Sequence, residues 1–212
     1  MYENLLIINK KHKKAAKTIL EKVLAEKTDK YIITISGEVG AGKASIAHVL
    51  GKKLKKRGIK VKTIYLDNYY RVPPAERTEW RRRHGLESIG PQEIDWEQLK
   101  KNISDFLTGS KSAMPLVDLM NDQLDELITD FRNIEILIIS GLYAMEVEEA
   151  DLKVFIELTY RETFDVQKEV ENEELDEFRM QVLEAEHKAV QALKHKAEFF
   201  VDFDTSLEIF HL

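Results

Sequence analysis

The strongest constraint on this chain lies between residues 31 and 54. A continuous apolar run, residues 31–36, leads straight into Gly37-Glu-Val-Gly-Ala-Gly-Lys43, and the next segment carries Ile46, Val49, Leu50 and Leu54 at helical spacing. An unbroken apolar run of that length is the pattern of a strand buried on both faces. Glycines allow the chain to turn tightly so that successive amide N–H groups point inward at an anion. The helix that follows adds the positive end of its dipole, and a lysine at its start reaches the outer phosphates. Gly37, Glu38, Val39, Gly40, Ala41, Gly42, Lys43, Ala44 and Ser45 are therefore the candidate cradle for a nucleoside triphosphate.

The rest of the chain repeats the alternation. Apolar runs rich in Ile, Val and Phe recur at residues 61–66, 134–140 and 154–158, with a weaker one at 199–203. Between and before them come helical periods: Ala16, Ile19, Leu20, Val23 and Leu24, then Trp96, Leu99, Ile103, Phe106 and Leu107. Strands alternating with helices predict an α/β fold, a parallel sheet layered by helices on both faces. Asp95, with Gln98 three residues on, predicts a capping box that opens the 96–107 helix, and Gly109 its end. Residues 162–196 read as one long helical stretch through Leu175, Phe178, Val182, Ala185, Ala189 and Leu193, its acidic first half a solvated face. With no internal repeat or Gly/Ser-rich linker, residues 1–212 read as one domain whose residues 1–29 are a helical extension. Residues 68–94 are too long for an ordinary connection, and Tyr69, Tyr70 and Trp80 mark them as an acceptor-side binding loop.

Charge and composition narrow the partners. A net charge of −6 in a chain with 33% charged residues of mixed sign argues against a general grip on nucleic acid. Cysteine is absent, which removes thiolate metal sites and cysteine nucleophiles and agrees with a reducing compartment. The early apolar residues 5–8 are followed at once by Lys10, Lys11, Lys13 and Lys14, the wrong order for a secretory leader, and no run approaches the roughly 20 residues of a membrane span. The expected compartment is the cytoplasm, with no membrane partner, and the sequence is compatible with a homo-oligomer.

Two positions bear on catalysis. After Lys43, where a Ser or Thr hydroxyl ordinarily ligates Mg²⁺, stands Ala44, and Ser45 points about 100° further round the helix. A further water on the metal can fill such a gap. Asp67 follows the 61–66 strand at its carboxyl end, where open parallel sheets place their ligand chemistry. It reads as a general base for an acceptor hydroxyl, as a Mg²⁺ ligand, or as half of a turn-forming Asp-Asn pair. His84, His187 and His195 show no ligand-like spacing and read as surface or packing residues.

At this point the chain resembles the uridine kinase, phosphoribulokinase and pantothenate kinase group of P-loop kinases over residues 31–203. The resemblance rests on the loop Gly37 to Ser45, on Leu66-Asp-Asn-Tyr-Tyr-Arg71, on Gly90-Pro-Gln-Glu-Ile-Asp-Trp96 and on the apolar strand ending at Ser140-Gly141. It implies a three-layer P-loop kinase fold with a sheet of about five parallel strands, ATP and Mg²⁺ as cofactors, Asp67 as the base and Tyr70 lining the acceptor site, with Arg71 beside it. The family's Glu-Gly is replaced by Ser140-Gly141, and within the lid-like helical region 160–180 the stretch Glu162 to Glu177, which corresponds to the family's arginine-bearing lid, is acidic and has no arginine after Arg161. Its uridine-reading positions fall at Val117 and Asp122. Arg71, Arg77, Arg81, Arg82 and Arg83 crowd the acceptor-side loop, either as phosphate contacts or as a solvated basic loop paired with Glu76, Glu79 and Glu87. The resulting expectation is an ATP-dependent phosphotransferase acting on a hydroxyl of a small metabolite, possible nucleosides included, with Lys43 and Asp67 as catalytic residues. The rival is a nucleotide-binding scaffold, a pseudokinase that kept the cradle and lost catalysis.

Overall fold

The computed structural model describes residues 6–118, 123–164, 167 and 176–203. Five strands form the main sheet: β1 (Tyr31–Gly37), β2 (Val61–Tyr65), β5 (Ile136–Ser140), β6 (Leu152–Ile156) and β7 (Phe199–Val201), in the order β2-β5-β1-β6-β7, every neighbouring pair parallel. All residues of β1 and β5 are buried, which is why the sequence shows them as unbroken Ile-rich runs rather than alternating ones.

Successive side chains still go to opposite faces. Ile33, Ile35, Ile136, Ile138, Val154 and Ile156 pack with α1 (Lys10–Glu26) and α2 (Lys43–Lys55) on one side. On the other, Ile32, Leu137, Ile139 and Phe155 pack against α4 (Trp96–Thr108) and α5 (Glu177–Leu193). The expected three-layer α/β arrangement of five parallel strands is therefore the one observed.

Two local expectations are corrected, and one pair of strands is new. Residues 68–94 are not an irregular loop: the end of a 3-10 turn (Leu66–Tyr69), helix α3 (Pro74–His84) and two more 3-10 turns (Leu86–Ser88 and Pro91–Glu93) occupy most of it. The helix α3 buries Arg81 alone, so it has no apolar stripe to betray it, although Pro73-Pro74 at its start was a usable cue. Two further strands, β3 (Lys111–Asp118) and β4 (Gln123–Asp130), pair antiparallel, which the sequence did not suggest. At α4, the Asp95 side chain accepts from Gln98 N at 3.1 Å, but the reciprocal half of the capping box is missing. The Asp95 N–H is already bonded to the Tyr69 carbonyl at 2.7 Å, and the Gln98 amide turns to Ala113 O instead. Gly109, at φ 70°, ends the helix as expected.

Of the long helix expected over 162–196, the described parts are residues 164 and 167, both helical, helix α5, capped by Asp176 through Arg179 N at 2.7 Å, and a 3-10 turn at Lys194–Lys196; residues 160–163 form turns. Leu175 and the acidic residues 169–174 lie outside the described residues. No described helix is long and apolar enough to cross a membrane.

Candidate active site

The loop between β1 and α2 is shaped by its glycines. Gly40 and Gly42 take φ of 75° and 86°, left-handed conformations that side-chain-bearing residues rarely adopt. Gly42 is itself the N-cap of α2, so the first-turn amides of that helix are left to face whatever fills the loop. Lys43 Nζ lies back across the loop and donates to Glu38 O at 2.7 Å.

Glu38 itself does not face the loop's interior. Its buried carboxylate accepts from Tyr160 N at 2.7 Å and Gln191 Nε2 at 2.6 Å, and contacts His187 Nδ1 at 2.8 Å. It braces the loop against α5 and the turn after β6, and His187, expected as a packing or surface residue, is part of that brace. Thr163 adds a second tie, donating to Val39 O at 2.8 Å.

Val39, Gly40, Gly42, Lys43, Ala44 and Ser45 line one side of a cavity of about 920 Å³; Asp67, Tyr70, Arg77 and Arg81 line another. Gly37, Glu38, Ala41 and Arg71 are not in the lining. Arg71 is exposed, and its backbone N–H is spent on Glu93 O at 2.8 Å. Ser45 turns its hydroxyl away, to Ile7 O at 2.9 Å, and Ala44 presents a methyl group.

Asp67 is exposed on the 3-10 turn that follows β2, and the turn is held from below by Tyr69 OH, which donates to Asn102 Oδ1 at 2.8 Å. Asn68 Oδ1 accepts from Val117 N at 3.3 Å, so the β3–β4 pair is tied to the same turn. Val117 is buried and Asp122 lies outside the described residues. Tyr70 stacks beneath the Arg77 guanidinium, 3.7 Å from its ring centre. Burial, with the negative charge of Glu186 and Asp67 adding to it, pushes the Tyr70 phenol well above its ordinary pKa, so it stays protonated.

The arginine-rich segment divides. Arg82 pairs with Asp176 at 2.9 Å and Arg83 with Glu79 at 3.0 Å, both away from the cavity. Arg81 is buried, donates to both Glu93 oxygens at 2.7 and 2.9 Å, and reaches Glu186 at 3.0 Å. Burial opposes its charge, but the Glu93 hydrogen bonds and the Glu186 field outweigh that and raise its pKa further. Arg179 of α5, 3.7 Å from Glu186, also lines the cavity. It stands two residues beyond the stretch Glu162 to Glu177 that corresponds to the family's lid. His12 and its neighbours at the start of α1 line the cavity too, brought there from some 30 residues before the loop with nothing in the local sequence to announce it.

Among the described residues, no cluster of three or more metal-ligating side chains exists. A nucleotide-bound Mg²⁺ needs only one or two protein carboxylates, the rest of its octahedron coming from phosphates and water. Asp67 can supply one, so the residues fit a lightly held metal.

A parallel sheet whose central strand runs into a glycine loop at a helix start, with a carboxylate at the end of the next strand, defines the phosphate-loop class of α/β proteins. The family model described as Phosphoribulokinase / Uridine kinase family matches residues 32–173, and the chain belongs to that family. Curated relatives include the uridine kinases of Mycoplasma genitalium, 30% identical over 130 residues, and of Ureaplasma parvum, 28% identical over 131. These matches take in 59% of this chain and 60 and 61% of the two relatives, so the chain aligns with well under two thirds of their length. Among solved structures, a possible uridine kinase from Bacillus stearothermophilus superposes at a TM-score of 0.63 and 19% identity over 90% of this chain and 98% of that one. Phosphoribulokinase from Rhodobacter spheroides superposes at 0.64 and 14% over 82% and 70%. At those identities the two share the fold.

Proposed function

We propose that the protein is a cytoplasmic ATP-dependent phosphotransferase that phosphorylates a hydroxyl group of a small metabolite. The observation that carries this is the shared cavity: Asp67 opens onto the same space as Lys43 and the loop amides. The names of the related uridine kinases support the same chemistry.

In this reading the loop amides and Lys43 hold the phosphates, Lys43 giving up its bond to Glu38 O to do so. The acceptor oxygen attacks the terminal phosphorus as the bond to the bridging oxygen breaks, and the acceptor's proton passes to the Asp67 carboxylate. Tyr70 and Arg77, stacked on each other, form the wall that orients the acceptor. A bound Mg²⁺ would neutralise charge on the transferred group.

A second reading, a nucleotide-binding protein without turnover, is favoured by one observation: Ala44 offers no oxygen and the Ser45 hydroxyl is engaged by Ile7 O. ATP turnover measured over a panel of nucleosides and hydroxy acids, beside calorimetric ATP binding, separates the two. For the first reading, Asp67→Asn lowers turnover by roughly 10² to 10⁴-fold with ATP affinity nearly unchanged, and Lys43→Ala weakens binding. ATP binding without turnover on any acceptor supports the second; full activity of Asp67→Asn removes Asp67 as the base.

A further inference from the structure

The family match begins at residue 32, yet part of the wall of the nucleotide cavity comes from earlier in the chain. Ala15, Ala16, Ile19, Leu20 and Val23 bury α1 in the core it shares with α2. That packing places the start of α1 over the start of α2: Ile7 O accepts from Ser45 Oγ, and a Cβ built on Gly42 would collide with the His12 imidazole at Nε2. The imidazole therefore lies directly on the last glycine of the loop, in the cavity that Lys43 and Ala44 also line.

The orientation of the ring follows from its other nitrogen. His12 Nδ1 accepts from Asn9 N at 3.4 Å, closing a capping box in which Asn9 Oδ1 accepts from His12 N at 3.0 Å. Burial lowers the imidazole pKa, with the Ile7 carbonyl pulling the other way, so the ring is neutral near pH 7. A neutral ring that accepts at Nδ1 carries its proton at Nε2, the nitrogen beside the loop.

The charges around it point to an anion. Lys10, Lys11, Lys13 and Lys14 occupy the opening of α1 with no acidic residue in its first turn, against the helix's own dipole. Among the described residues none of the four pairs with a carboxylate, and Lys11 lines the cavity. A polyphosphate in the cavity would relieve that repulsion.

We propose that residues 6–12 form part of the nucleotide site and that His12 is a phosphate-binding residue, its Nε2–H donating to a phosphate oxygen beside Lys43. The proposal rests on the nucleotide reading of the loop given above, and the test separates the two. ADP and adenosine binding are measured by calorimetry for the wild type, His12→Ala, His12→Gln, Asn9→Ala and Lys43→Ala, with thermal unfolding as a check on folding. His12→Ala weakens ADP about tenfold, as expected for loss of a hydrogen bond to a charged group, and leaves adenosine unchanged. His12→Gln, whose amide can donate from nearly the same place, recovers most of the affinity. Asn9→Ala, which loses the helix cap and keeps the imidazole, weakens ADP much less than His12→Ala. ADP binding that falls in Lys43→Ala but stays within twofold of wild type in His12→Ala overturns the proposal alone. So does an equal loss for adenosine, or a loss in Asn9→Ala as large as in His12→Ala. A wild-type protein that does not bind ADP overturns the nucleotide reading and this proposal together.

Discussion

Arg81→Met removes the guanidinium at the centre of the buried ion cluster while keeping most of the side-chain stem. In the native protein that group is 5% exposed, and the carboxylates it serves, Glu93 and Glu186, are 6 and 5% exposed. Its loss leaves Glu93 with the Gly90 N–H at 3.2 Å and, among the described residues, no cation, and Glu186 with Arg179 at 3.7 Å. Taking one partner out of a buried ion pair typically costs about 3–5 kcal/mol, because the remaining charge is left without adequate compensation. Against a total stability of about 5–15 kcal/mol, that is a large fraction. It corresponds to a fall of about 6–20 °C in midpoint for a chain of this size. Adding Glu93→Gln and Glu186→Gln to Arg81→Met removes the stranded charges and recovers much of the loss. Urea unfolding at pH 7 of the wild type, the single variant and the triple variant measures both steps. A single variant that loses less than about 1 kcal/mol, or a triple variant no more stable than the single one, refutes the claim that paired charge holds α3 and α5 together at this point.

Ala44→Ser restores a hydroxyl at the first turn of α2, and ATP affinity and turnover across a Mg²⁺ titration should both rise; no change in either shows that the missing hydroxyl is not the limiting defect. The His12 imidazole, lowered in pKa by burial, binds protons less well folded than unfolded. Stability therefore falls as pH drops through the ordinary imidazole range, and His12→Gln flattens that part of the profile in chemical denaturation. An unaltered profile in the variant shows that another group sets the slope.

The sheet and the loop were readable from the sequence because each follows from local chemistry. Ile32 to Ile35 and Ile136 to Ile139 are buried on both faces and appear as solid apolar runs, and Gly40 and Gly42 adopt backbone angles that only glycine takes easily. What escaped was decided by distant partners. Glu38 sits within the loop motif, but its side chain belongs to Tyr160, His187 and Gln191, more than 120 residues away. The β3–β4 pair exposes Leu127 and Ile128 at 43 and 64%, so burial leaves little alternation to read. Helix α3 hides because its one buried side chain is an arginine, a residue that polarity patterns assign to the surface. Arg179 and His12 reach the cavity through the packing of α5 and α1, which no local spacing encodes.

The strand order has a consequence for how the chain assembles. Strands β1 and β2 are made first but do not pair with each other; β5, made after residues 66–135, fills the gap between them. During synthesis, the inner edges of β1 and β2 stay open until β5 has left the ribosome, while α1, β1 and α2 can already pack through local contacts. Closing the sheet then requires pairings across more than 70 residues for β2 with β5 and about 100 for β1 with β5, the kind of long-range closure that slows folding. The stretch of chain between them, which carries Asp67 and the acceptor wall, can settle only once that strand is in place.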